Sequence, residues 1–221
     1  SQLWEVEAGR DLTSPIAAAG MIFAAEEESH TVFAASMEDG SRIWSFTAGG
    51  RIDSPPAYAL GRIVFGSRDG YVYCLNAHDG ALRWRFLAAP QDKRIINFEQ
   101  LESVWPVFGS VLIHDKSVCL TAGRSLFLDG GVTFYRLDLA TGEPLATKQW
   151  DQIAPDGTEY HSLVSTMQED ADLAFPGYGL TMPPANNDLL SAKDENLFMK
   201  SQVLTRDGER VMYPIGARNE G

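Results

Sequence analysis

The sequence predicts an all-β protein, a β-propeller of four-stranded antiparallel blades, and three observations predict it. Trp4, Trp44 and Trp84 recur at intervals of forty residues. Asp39-Gly40 and Asp79-Gly80 repeat with the same period, as do Pro15 and Pro55, so the chain is written in stacked supersecondary units. Between these markers lie short segments punctuated by Gly and Asp, and no run shows the three- and four-residue apolar spacing of a helix.

The clearest unit reads as four strands. Asp53 to Leu60 is the first, Arg62 to Ser67 the second, Gly70 to Asn76 the third and Leu82 to Phe86 the fourth. Gly61, Asp69-Gly70 and Asp79-Gly80 supply the turns. Four antiparallel strands in forty residues make one propeller blade. The same hairpin is written upstream from Thr31 to Phe46 and, more loosely, downstream from Val132 to Trp150. The Trp at the start of each fourth strand is read structurally: a large ring wedged between adjacent sheets adds most to burial.

This order of a strand, Asp-Gly or Thr-Gly, then Trp-x-Phe resembles the PQQ-like, tryptophan-docking β-propeller repeat. The resemblance is clearest over residues 3–86, persists to Trp150, and is weak through Leu189-Leu190-Ser191 and Asp207-Gly208. The Gly-His and Trp-Asp pairs that mark WD-repeat propellers of similar period do not stand in these positions. About four units follow: 3–43, 44–83, 84–149 and 150–221, in one propeller domain or segment. Propellers of this kind hold about seven or eight blades. The chain is therefore expected to be part of a larger ring, starting inside a longer precursor, or to be completed by a second copy through edge-strand pairing. Leu3-Trp4-Glu5-Val6 reads as a fourth strand able to pair with the last unit and close the ring.

Three insertions depart from the repeat, at 88–103, 122–131 and 151–188. In an antiparallel blade the second-to-third turn and the link to the next blade emerge on one face, so all three should decorate that face. Loops on a rigid scaffold carry function. The candidate binding face therefore comprises Arg94, Glu99, Glu102, Arg124, Asp129, Tyr160 and His161. Against this stands a structural reading, in which Arg124 and Asp129 brace their own hairpin and Glu99 and Glu102 lie on a solvated helical turn.

A net charge of −12 over 221 residues argues against nucleic acid or anionic membrane as a partner. No apolar run approaches the roughly 18 residues that span a bilayer. Cys74 and Cys119 read as two buried thiols, a disulfide being the alternative. The four histidines are isolated, Glu26-Glu27-Glu28 reads as a charged turn, and Asn186-Asn187-Asp188 reads as a turn rather than a calcium site. Nucleophile-elbow, zinc and phosphate-loop motifs are not found, so a catalytic assignment has little support and no cofactor or metal is expected.

The reading is a non-enzymatic binding or scaffold module that engages a protein or extended ligand through the insertion-bearing face. The resemblance to outer-membrane assembly lipoproteins and secreted bacterial multidomain proteins implies a periplasmic or extracellular setting. The alternative is part of a quinoprotein or carbohydrate-active enzyme whose catalytic residues lie largely outside this chain.

Overall fold

The computed structural model describes residues 4–5, 11–97, 99–153, 189–199 and 202–211. It is all-β: four four-stranded antiparallel sheets and one two-stranded hairpin. The first sheet holds β1 (Ile16–Ala18), β2 (Met21–Glu26), β3 (Thr31–Ser36) and β4 (Arg42–Thr47). The second holds β5 (Ala57–Ala59), β6 (Arg62–Gly66), β7 (Tyr71–Asn76) and β8 (Leu82–Leu87). The extra hairpin is β9 (Arg94–Asn97) with β10 (Gln100–Ser103). The third sheet holds β11 (Leu112–His114), β12 (Ser117–Ala122), β13 (Val132–Asp138) and β14 (Pro144–Trp150). The fourth holds β15 (Leu190–Lys193), β16 (Asn196–Met199), β17 (Gln202–Thr205) and β18 (Arg210–Val211).

Each sheet is a meander, its strands paired in chain order, and successive sheets pack face to face. Phe23, Ala25, Val32 and Trp44 of the first sheet meet Ile63, Phe65, Tyr73 and Leu75 of the second. Val64, Val72 and Cys74 meet Val118, Leu120 and Leu137. Phe134 and Trp150 meet Leu197, Met199 and Leu204. Alternation along each strand sends successive residues into successive interfaces, which is why β6 and β7 are buried on both faces. The first strands β1, β5, β11 and β15 are neighbours in turn, so the blades form an arc with these strands innermost.

The repeated tryptophans dock one blade on the next. Trp44 Nε1 donates to the Ala77 carbonyl at 2.9 Å, and Trp84 Nε1 to the Leu139 carbonyl at 3.1 Å. Each ring lies on the glycine of the next blade's turn. A Cβ on Gly80 would stand 2.7 Å from the Trp44 ring and one on Gly142 2.6 Å from Trp84; both glycines have positive φ, +72 and +76.

Trp150 departs from the expected position. It ends β14 opposite Val132, whereas Trp44 and Trp84 face Ala34 and Cys74, and the matching place in the third sheet is held by Ala146 opposite Arg136. Trp150 still docks, its Nε1 donating to the Gly208 carbonyl at 2.8 Å. Phe134 stacks on it and takes the place over Gly208.

Of the segment read as a closing fourth strand, Leu3–Val6, only Trp4 and Glu5 lie among the described residues; Trp4 Nε1 donates to the Met37 carbonyl of the first sheet, and the fourth place beside β17 is held by β18. The cysteines are both free and buried in different sheets. Burial pushes Cys74 up to about 12 and Cys119 to about 11, so neither is a thiolate at neutral pH.

Candidate functional site

The turns β2–β3, β6–β7 and β12–β13 and the links between sheets share one face. The first two insertions meet there. The 88–103 insertion folds as the β9–β10 hairpin, with Ile96 opposite Leu101 and Ile95 opposite Glu102. Opposed residues point to the same side of a hairpin. One side therefore holds Ile96, 81% exposed, and Leu101, 54% exposed. The other side holds Ile95, Asn97, Gln100 and Glu102 and faces the propeller.

Glu102 is the anchor. It is 1% exposed, and its carboxylate accepts from Arg124 Nη2 at 2.6 Å, Asn97 Nδ2 at 2.5 Å and Arg68 Nη1 at 3.1 Å. Burial pushes this carboxyl up, but the bonds from Arg124, Asn97 and Arg68 together outweigh burial and hold it below its ordinary value. A buried carboxylate with three donors, two of them cationic, is a strong positional lock.

The lock continues across three blades. Arg68 grips Asp53 with two nitrogens, at 2.6 and 3.0 Å. Asp53 also lies 2.9 Å from Arg51 Nε, and Arg51 reaches Glu27 and Glu28 in the β2–β3 turn. Four carboxylates and three guanidiniums thus tie the first sheet, the second sheet, the hairpin and the β12–β13 loop together. Beside it, Asp69 is buried and accepts from Gly49 N, Tyr71 N and the Tyr73 hydroxyl, which fixes the β6–β7 turn.

The expected site residues divide accordingly. Glu102 and Arg124 are brought together. Arg94 is exposed beside Asp92, at 3.1 Å. Glu99 is exposed in the β9–β10 turn with φ +64. Asp129 is exposed, and its carbonyl accepts from Trp105 Nε1 at 2.7 Å. Tyr160 and His161 lie outside the described residues, as does most of the 151–188 insertion. The Arg124–Asp129 brace is corrected: Arg124 reaches Glu102 and the Ser103 carbonyl instead. The solvated helical turn is also corrected, because 94–103 is a hairpin and Glu102 is buried.

Sequence alone does not mark Asp53, Arg51 or Arg68 as site residues, and Glu27 and Glu28 read only as part of a charged turn. One signal was available: Arg68 in Ser67-Arg68-Asp69-Gly70 and Arg124 in Gly123-Arg124 occupy the same turn of neighbouring units. The repeat itself aims two guanidiniums from adjacent blades at the carboxylate between them.

Among the described residues no three His, Cys, Asp or Glu side chains cluster as a metal site would require. No described helix is long and apolar enough to cross a membrane. This face carries the exposed Ile96–Leu101 pair of the hairpin beside the linked carboxylates and guanidiniums.

A family profile described as outer membrane protein assembly factor BamB matches residues 1–166. The chain is 29% identical over 145 residues to the outer membrane protein assembly factor BamB of Burkholderia pseudomallei (strain K96243), covering 65% of this chain and 33% of that protein. Among solved structures it superposes on BamB from Moraxella catarrhalis with TM-score 0.59 and 14% identity, over 95% of this chain and 52% of that one. The quinohemoprotein alcohol dehydrogenase ADHIIG of Pseudomonas putida HK5 matches with TM-score 0.55 and 16% identity, over 67% of this chain and 22% of the enzyme. The chain thus spans about a third of the curated relative and half of the solved one. The likeness to both solved structures establishes the fold alone.

Proposed function

We propose, from the premise that this chain belongs to the outer membrane protein assembly factor BamB family, that it is a propeller binding module serving outer-membrane protein assembly. In this reading it works in the periplasm, where proteins bound for the outer membrane are handled, and it performs no chemistry of its own. Its partner is a protein component of that assembly process, and the contact is made by the insertion-bearing face.

The observation that carries the proposal is the β9–β10 hairpin. It exposes a cross-strand Ile96–Leu101 pair and pairs with no third strand among the described residues, yet it is fixed from below by Glu102. A preformed apolar ridge loses little side-chain and backbone freedom on binding, which is what a scaffold requires of its contact.

The double substitution Ile96→Asp with Leu101→Asp tests it. Affinity for a purified bacterial outer-membrane protein assembly complex, read by surface plasmon resonance, should fall at least about tenfold, the effect of about 1.4 kcal/mol. Stability read by urea unfolding should change by no more than about 0.5 kcal/mol, because both side chains face solvent. Unchanged affinity in a folded double variant would remove the hairpin from the contact.

A further inference from the structure

The chain carries 18 Lys and Arg against 30 Asp and Glu, yet residues 81–97 hold four Lys and Arg against Asp92 alone. Three of these cations gather where the second sheet meets the hairpin. Arg85, on the outermost strand β8, is exposed, and its guanidinium lies 5.0 Å from the centroid of the Tyr71 ring. Tyr71 opens β7 directly after the β6–β7 turn, so the cation is held toward the insertion-bearing face. Lys93 and Arg94 follow at the entry to β9, both exposed. Arg94 bonds Asp92 at 3.1 Å and also feels the charges of Asp69 and Tyr71, so it lies near the same ring. By alternation it shares the outward side of β9 with Ile96.

Cations on an edge strand have an ordinary use, which is to keep other strands from pairing with it. The neighbouring fourth strands carry theirs in neutralised form: Arg42 of β4 is paired with Glu26, and Lys148 of β14 with Glu209. Arg85 and Lys93 have no carboxylate partner among the described residues, and Lys93 and Arg94 lie beyond the edge strand altogether. Edge protection therefore does not account for the group.

We infer, resting on the hairpin as the contact surface, that the partner protein presents an acidic segment there. Its carboxylates lie on Arg85, Lys93 and Arg94 while its apolar residues cover Ile96 and Leu101. Salt limits the reach of an exposed charge to about 8 Å at physiological ionic strength, so such a segment meets these cations rather than the net charge of −12. Exposed charges of this kind steer the encounter more than they hold the complex. They act on the association rate, whereas the apolar pair acts on dissociation.

Arg85→Glu with Lys93→Glu tests this in the longest natural polypeptide that contains this chain, against the purified bacterial outer-membrane protein assembly complex. At about 50 mM salt the association rate, read by surface plasmon resonance, should fall at least about tenfold, and at about 0.5 M salt the gap should close to within about threefold. The dissociation rate should change by less than about threefold, and Arg85→Gln with Lys93→Gln should fall between the Glu pair and the unaltered protein. An unchanged association rate in the folded variants, while Ile96→Asp with Leu101→Asp still weakens binding, would overturn the acidic partner segment and leave the hairpin contact standing. Unchanged binding in both sets would remove both. Binding of the unaltered protein to phosphatidylglycerol vesicles, abolished by the Glu pair while the rate toward the complex is unchanged, would also overturn it and give the cations to an anionic membrane.

Discussion

Glu102→Ala should destabilise the protein by about 3–5 kcal/mol, the range for removing one partner from a buried ion pair. Two guanidiniums, Arg68 and Arg124, would be left facing a void without their shared carboxylate, and Asn97 would lose its acceptor. The effect should also be local. Amide hydrogens of 94–103 should exchange at least about tenfold faster, while those of β16 and β17, two blades away, should change only through global stability. Glu102→Gln keeps the shape and one acceptor and should fall between the two. A loss below about 1 kcal/mol for the alanine variant, measured by urea unfolding, would show that the hairpin is held by something else.

The same carboxylate sets a pH dependence. Its folded value lies below the ordinary 4.5, so its contribution is complete above pH 4.5, declines as pH falls below that, and is gone once the folded value is passed. Limited proteolysis of the hairpin should therefore be constant from pH 7 to pH 5 and rise below about pH 4. Glu102→Gln should flatten this response.

Trp150→Ala should cost about 3–5 kcal/mol, comparable to other buried large-to-small changes. Trp150 is 2% exposed, stacks on Phe134 at 5.7 Å and donates to the Gly208 carbonyl, so it joins the third and fourth sheets by area and by hydrogen bond together. Its loss should loosen the last blade first, because β15–β18 has no further described sheet beyond it. Trp84→Ala, at a half-buried ring, should cost less. If the two variants unfold at the same urea midpoint, the docking role assigned to Trp150 is wrong.

The blades were legible because their signals are local. Asp-Gly turns fix hairpin registers, and a period of forty residues fixes which strands are equivalent, so β5 to β8 fall within one residue of the reading at most of their ends and the first strand within a few. Trp150 was misplaced because the third unit lengthens β13 and β14 to seven residues each, carrying the tryptophan to the strand end while Phe134 fills its usual place. The insertions were legible as departures from the repeat, and the meeting of the first two on one face followed from strand parity, the third lying mostly outside the described residues. What they form was not legible. Alternation in Arg94-Ile95-Ile96-Asn97 is too short to separate strand from turn, and Glu102 reads as a solvated carboxylate until Arg68 and Arg124 are seen to converge on it. Burial of a charge is a tertiary property, decided by partners 34 and 22 residues away.

The β9–β10 hairpin is the proposed contact surface. Its direct test is a photocrosslinker at Ile96, in chain exported to the periplasm of a bacterium that assembles outer-membrane proteins, with the same group at the exposed Leu82 as comparison. The expected result is an adduct from Ile96 with a protein of the outer-membrane assembly machinery, identified by mass spectrometry, and little or none from Leu82. No adduct from Ile96, or equal adducts from both positions, would contradict it.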